Sequence, residues 1–307
     1  MWFKNLQIYR LPIPWQMSIK TLDTQLAQQR FAPCGALEAI SRGWVAPRPE
    51  HDPEALVHGM GGHWILALET ESKLLPATIL RQETRAQAEK IAQTQGYALG
   101  RKALRDLQDQ VRDELLPRAF AGRRKTAVWL DPARGWLGVD AASLTKAEEV
   151  LEALRASLDD FPCALVSTRI SPASAMTEWL LSGDAPAGFA IDRDCELKSA
   201  TGEHAVVRYV RHPLRDETLP EIRAHLEAGK LPTRLALTWN DRISFVLTEK
   251  GEIKRLEFLE VLKESLEGIE NAEEIFDAEF ALMTGEFVHF LPALIEALGG
   301  EKSAGGA

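Results

Sequence analysis

The sequence predicts an α+β fold: antiparallel sheets with flanking helices, from which a helical arm projects. Three observations carry this. Apolar and polar residues alternate in "FKNLQIYRL", in "HWILALETESKLLP" and through "RLALTWNDRISFVLTEKGEIKRLEFL", marking strands joined by short turns. Helical periodicity falls between and after groups of strands rather than in strict strand–helix alternation. Residues 78 to 116 contain no proline and read as two helices, joined near "GYALG" by Gly96 and Gly100.

In chain order, "FKNLQIYRL" is a strand and "SIKTLDTQLAQQRF" a short amphipathic helix. The proline-rich "RGWVAPRPEHDPE" connects them to the strand that runs to Pro76. After the arm, "TAVWLDPARGWLGVDA" is a hairpin with turn chemistry at Pro132 to Gly135, and "SLTKAEEVLEALRASLDDF" is a helix capped by Ser143 or Thr145. "CALVSTR" reads as a strand and "SPASAMTEWLLSG" as a helix closed by Gly183. Beyond Gly188 come short strands, including "AVVRYVRH", then a helix capped by Asp216 and stopped at Gly229. A three-stranded meander follows, turning at Asn240-Asp241 and Lys250-Gly251. The last fifty residues are helical and acidic, with a small polar tail. The expected organisation is a central α+β region (1–76 and 126–187), the helical arm (77–125) and a second α+β region (188–307).

Composition narrows the function. With 307 residues, 45% of them hydrophobic, the chain is globular. It shows no apolar run of about 18 residues and no secretory start, so cytoplasm and no membrane partner are expected. Cys34, Cys163 and Cys195 form no ligand spacing and read as buried reduced thiols. The net charge is -9, yet from Glu249 onward there are 14 acids and 5 bases, so the preceding residues balance at 31 of each. The acidic excess is C-terminal, and a polyanion partner stays open because binding follows where cations cluster.

They cluster around the arm. On the helix "RKALRDLQDQVRDELL", Arg101, Arg105 and Arg112 fall within ~40° of one another at 100° per residue. Leu104, Leu107, Val111 and Leu115 occupy a different sector. Arg118, Arg123, Arg124 and Lys125 extend the stripe, in what reads as a loop tip between Pro117 and Gly122 that also carries Phe120. On sequence spacing Arg123, Arg124 and Lys125 have no acidic partner. An ordinary solvated helix face is the alternative reading of the arginine stripe, and the one that spacing alone favours. A second set comprises Arg208 and Arg211 in "VVRYVRH", with Lys230 and Arg234 after the helix stop. Three-residue spacing puts Arg208 and Arg211 on opposite faces of a regular strand, Lys230 is also suited to capping helix carbonyls, and Tyr209 suits either base stacking or the core.

No catalytic signature stands out. "HGMGGH" matches neither a phosphate loop nor a helical zinc motif and reads as a turn. No nucleophile elbow or dinucleotide fingerprint occurs, so no enzyme activity, metal or cofactor is expected.

Several blocks resemble one family: "WFKNLQIYRL", "FAPCG", "LLPRAF", "LTKAEEVLEALRASL", "TEWLLSG", "ELKS", "HLEAGKLPTRLAL" and "FALMTGEFVHFLPALIEALGGE". In order from Trp2 to Glu301 they are similar to the bacterial recombination-associated RdgC family. The resemblance implies a nucleoid-associated, ring-shaped homodimer that binds double-stranded DNA with little sequence preference and restrains RecA-driven strand exchange. It implies that Phe120 lies at a dimer contact, and that the segment around Arg208 and Arg211 and the residue Lys230 contact DNA. Arg211-His212 stands here where relatives have a basic residue followed by glutamine. Two other readings remain: a protein-interaction module acting through the acidic C-terminal helices, and a nuclease with an unrecognised carboxylate site.

Overall fold

A computed structural model describes residues 2–199, 205–214, 219–266, 268–269 and 271–302. In order the elements are β1 (Gln7–Arg10), α1 (Ile19–Leu26), β2 (Ile40–Val45), β3 (His58–Met60), β4 (His63–Leu74), α2 (Ala77–Gln95), α3 (Arg101–Leu115), β5 (Phe120–Asp131) and β6 (Trp136–Val139). Then follow α4 (Leu144–Ser157), β7 (Ala164–Leu165), α5 (Pro172–Ser182), β8 (Phe189–Ser199), β9 (Val206–Tyr209), α6 (Leu219–Glu227), β10 (Lys230–Trp239), β11 (Ile243–Thr248), β12 (Ile253–Phe258), α7 (Glu260–Lys263) and α8 (Ala272–Ala297). The α+β class with antiparallel sheets, flanking helices and a helical arm is the observed one.

The strands form a seven-stranded sheet, β2-β4-β5-β6-β1-β7 with β3 beside β4, and a five-stranded sheet, β12-β11-β10-β8-β9. The two meet where the N-terminal segment pairs with β12: Leu6 and Ile253 exchange backbone hydrogen bonds of 2.8 and 3.2 Å. Alternation along the strands sends one side of the larger sheet, including Leu66, Leu68, Val128 and Leu130, against α1 and α4. The other side, with Ile65 and Trp129, packs against α8.

Helix α8 is the wedge between the sheets. Phe287 stacks against Trp129 of the larger sheet and Phe258 of the smaller, at 5.1 and 5.8 Å between ring centroids. Phe290 meets Trp239 and Phe245. By length and composition α8 is long and apolar enough to cross a membrane, a test that buried core helices also pass; here Phe280, Met283, Phe287 and Phe290 are fully buried between the sheets. Two of its acids are engaged at the edges, Asp277 with Arg48 and Glu286 with Arg242 at 3.0 and 2.6 Å.

Local signals explain most boundaries. Ser18, Ser143 and Ser171 cap α1, α4 and α5 through their hydroxyls. Gly61 and Gly62, both at positive φ, make the two-residue turn of the β3–β4 hairpin, which accounts for "HGMGGH". Asn240 and Asp241, also at positive φ, begin the three-residue loop 240–242 between β10 and β11. Gly43 lets residues 30 and 31 run beside β2, since a Cβ there would sit 2.3 Å from Phe31 Cα.

Five expectations need correction. The expected connection "RGWVAPRPEHDPE" begins as strand, since residues 42–45 belong to β2 and pair with β4. The hairpin strand starts at Phe120, so the expected loop tip is strand: β5 pairs with β4 continuously from Trp64↔Leu130 to Leu74↔Phe120. Backbone pairing along the overhanging end of β4 outweighs the turn signal of Gly122. "CALVSTR" supplies only the two-residue β7. In "AVVRYVRH" the strand ends at Tyr209, and Arg211 turns away at φ 54, so regular-strand facing does not apply to it. Of the three cysteines only Cys195 is buried; Cys34 and Cys163 are half-buried. The expected Asp216 cap lies outside the described residues.

Candidate nucleic-acid interface

The arm is a helical hairpin with a small core of its own. Leu80 on α2 packs with Leu107 and Val111 on α3. Gly96, left-handed at φ 80, ends α2, and Gly100 precedes α3. Burying Leu107 and Val111 turns Arg101, Arg105 and Arg112 outward, as the helical spacing predicts. Arg101 and Arg105 form no ion pair among the described residues, whereas Arg112 is bound to Asp109 at 2.8 Å. Leu104 remains 42% exposed rather than joining the apolar core.

Arg118 follows in a short 3-10 turn, exposed and without an ion pair among the described residues. The next three cations lie on β5, where strand alternation separates them. Arg124 points to the α4 side and approaches Glu149 at 3.8 Å. Arg123 and Lys125 point to the other side, opposite Glu71 and Glu69 of β4. Arg123 Nε binds Glu71 Oε2 at 2.5 Å and lies 5.1 Å from the Phe31 ring. The expectation that Arg123 and Arg124 lack acidic partners is therefore wrong: antiparallel register and α4 deliver acids that sequence spacing does not reveal. Lys125 has no ion pair among the described residues. The Glu71 carboxyl is held below its usual range by the Cys34 N–H and then by Arg123.

Phe120 ends this ribbon, 85% exposed, with Leu74 beside it at 61%. An apolar pair at a strand end, so open to water, is the kind of surface that a partner covers.

The second cationic set is divided. Arg208 on β9 and Arg234 on β10 flank Glu196 of β8 across the sheet. Together with Lys254 and Arg255 of β12 they line one cleft of about 390 Å³. Sequence reasoning missed Lys254 and Arg255, because only the strand order β12-β11-β10-β8-β9 brings them near. Arg211 lies beyond this cleft, its backbone N–H donating to Asp194 Oδ1 at 2.8 Å. Lys230 begins β10 with Nζ 3.2 Å from His225 Nδ1. Tyr209 is core, and burial pushes its hydroxyl up to about 12.

Among the described residues no group of three or more His, Cys, Asp or Glu could hold a metal ion.

Comparison with known proteins adds the family. Residues 1–301 match the family model described as "Putative exonuclease, RdgC". The chain is 58% identical over 302 residues to a protein of Dechloromonas aromatica (strain RCB), covering 98% of each. It is 50% identical over 305 residues to one of Cupriavidus pinatubonensis, covering 99% of this chain and all of that one. To one of Herminiimonas arsenicoxydans it is 48% identical over 304 residues, covering 99% of each. Each of these relatives is named recombination-associated protein RdgC. Matching along nearly its whole length, this chain belongs to the RdgC family of recombination-associated proteins.

Proposed function

We propose that the protein binds double-stranded DNA through its backbone, without reading sequence, as a ring-shaped homodimer that restrains RecA-promoted strand exchange in the nucleoid. The observation that carries this is the set of exposed cations without ion pairs among the described residues, Arg101, Arg105, Arg118 and Lys125 on the arm and β5 and Arg234 on the second sheet, in a chain of net charge -9. Unpaired guanidinium and ammonium groups release condensed counterions when they meet phosphates, which needs no base contact. The recombination-associated relatives supply the biological setting. Coating the duplex would keep RecA from it.

Fluorescence anisotropy with a scrambled-sequence duplex tests the DNA reading. Contact with about six to eight phosphates gives a log–log salt slope near -5 to -7. Absence of binding at low salt overturns it.

The homodimer reading rests on Phe120. Phe120→Ala is expected to weaken self-association by about 2 kcal/mol or more if the ring is a central anchor. Sedimentation velocity reads the outcome, and an unchanged dimer removes Phe120 from that role. The family model's description favours one other reading, exonuclease activity. It predicts metal-dependent shortening of an end-labelled duplex, against the stable bound duplex expected here.

A further inference from the structure

The cleft lined by β8, β9, β10 and β12 is crowded with opposite charges. Glu196 stands between two arginines. Its Oε2 takes the Arg208 Nε at 2.6 Å and its Oε1 takes the Thr233 hydroxyl at 2.8 Å, while Arg234, beside it on β10, has no ion pair among the described residues. Asp194 repeats the pattern, holding Arg255 at 2.9 Å through one oxygen and the Arg211 N–H through the other. Lys254 is bound to Glu252 at 2.8 Å. Burial pushes Glu196 up, but the Thr233 hydroxyl and Arg208 outweigh it and leave the carboxyl below its usual range.

The exposures of the partners differ in a consistent way. The acids are sunk in the sheet, with Glu196 and Asp194 side chains 15% and 29% exposed, while Arg208 and Arg255 are 66% and 72% exposed. Each guanidinium thus has one edge on a carboxylate and the rest facing solvent. A guanidinium offers five N–H donors, so an arginine tethered through one or two of them can still bind a phosphate oxygen. The cleft, at about 390 Å³, is more than ten times the ~30 Å³ share of a single water molecule, which leaves room for a phosphodiester with its solvent.

We infer that this cleft is a phosphodiester-binding site in which Glu196 and Asp194 are built-in competitors that lower its affinity for nucleic acid. This rests on the duplex-binding reading and adds to it Arg255 and Lys254 as contacts and the two carboxylates as regulators. Isolated anions meet a cleft whose four cations are partly offset by Asp194 and Glu196, and by Glu252 beside Lys254, and gain less than bare arginines would give. A duplex, held by its other phosphates, presents oxygens at high local concentration and competes for the arginines. The carboxylates hold the guanidiniums outward yet keep the protein from binding polyanions indiscriminately, and they make release easy.

The test is anisotropy with a scrambled-sequence duplex of about 30 base pairs, across potassium chloride concentrations, on the full chain. Glu196→Gln keeps the shape of the side chain and removes the competing charge. It is expected to bind about three- to tenfold more tightly at moderate salt, with a slope steeper by about 0.9, the effect of one more phosphate neutralised. Glu54→Gln makes the same charge change on an exposed loop side chain far along the sequence and is expected to stay within twofold. Arg234→Gln, which breaks no ion pair, is expected to weaken binding three- to tenfold and make the slope shallower. If the wild type binds and Glu196→Gln binds equally or more weakly, this inference is overturned while duplex binding stands. Unchanged binding by Arg234→Gln overturns it too, whether or not Glu196→Gln folds. If neither wild type nor Glu196→Gln binds at low salt, the duplex-binding reading fails and this inference falls with it.

Discussion

Arg123 and Lys125 sit two residues apart on one strand face, yet they differ in what they can offer a partner. Arg123 is committed to Glu71 and lies 3.7 Å from Glu69, while Lys125 is exposed and forms no ion pair among the described residues. A cation already neutralised by a carboxylate displaces few counterions on meeting a phosphate. Lys125→Gln is therefore expected to make the duplex salt slope shallower by about 0.9, and Arg123→Gln by clearly less. Parallel anisotropy titrations of the two variants distinguish them. Another residue-scale expectation concerns His58, against Asp277 at 3.1 Å and faced by Arg48, His51, Phe276 and Phe280. Burial first, then Arg48 and His51, hold its imidazole below the ordinary value near 6.5, despite the opposing pull of Asp277. A base whose pKa falls on folding opposes the fold when protonated, so stability declines as pH drops below about 6.5. Thermal melts at pH 7 and pH 5.5 are expected to show this loss, and His58→Gln to reduce it. His63, lowered mainly by burial, accounts for part of what remains.

At the scale of elements, the arm and β5 behave differently although they adjoin. The arm's core consists of Leu80, Leu107 and Val111 with partly buried neighbours, separate from the clusters around the sheets. So small a core lets the hairpin open independently of the rest. Leu107→Ala is expected to cost about 2–3 kcal/mol locally. Hydrogen exchange should report it as faster exchange across residues 77–115, with the sheets unaffected. In β5, by contrast, hydrogen bonding to β4 reaches the very end of the ribbon, and this holds Phe120 out from the body. The two helices of the arm were legible because Gly96 and Gly100 interrupt an otherwise proline-free helical pattern. The strand character of residues 120–125 was not, since Gly122 and the run of three cations carry the local signature of a turn, and only β4 overrides it.

The whole molecule depends on α8, the joint between the sheets. Phe287 touches Phe3, Trp129 and Phe258, drawn from the N-terminal segment and both sheets. Phe287→Ala is expected to destabilise the protein by about 3–5 kcal/mol, read as a lower urea midpoint, because neighbours tied to separate elements cannot collapse into the cavity. The acidic C-terminal fifth, which in the sequence suggests a solvated interaction surface, is here largely a core helix whose edge carboxylates hold Arg48 and Arg242. By itself the sequence determined the α+β class, the helical hairpin, the meander, the helix capped by Ser143, the family and which residues carry positive charge. Those properties follow from short-range periodicity, from turn chemistry and from motifs contiguous in the chain. Only the tertiary structure decided which cations are neutralised, that Arg124 faces away from Arg123 and Lys125, and that Lys254 and Arg255 join Arg208 and Arg234. Strand register and sheet order bring distant residues within a few ångströms, and charge interactions depend on that distance rather than on separation along the chain.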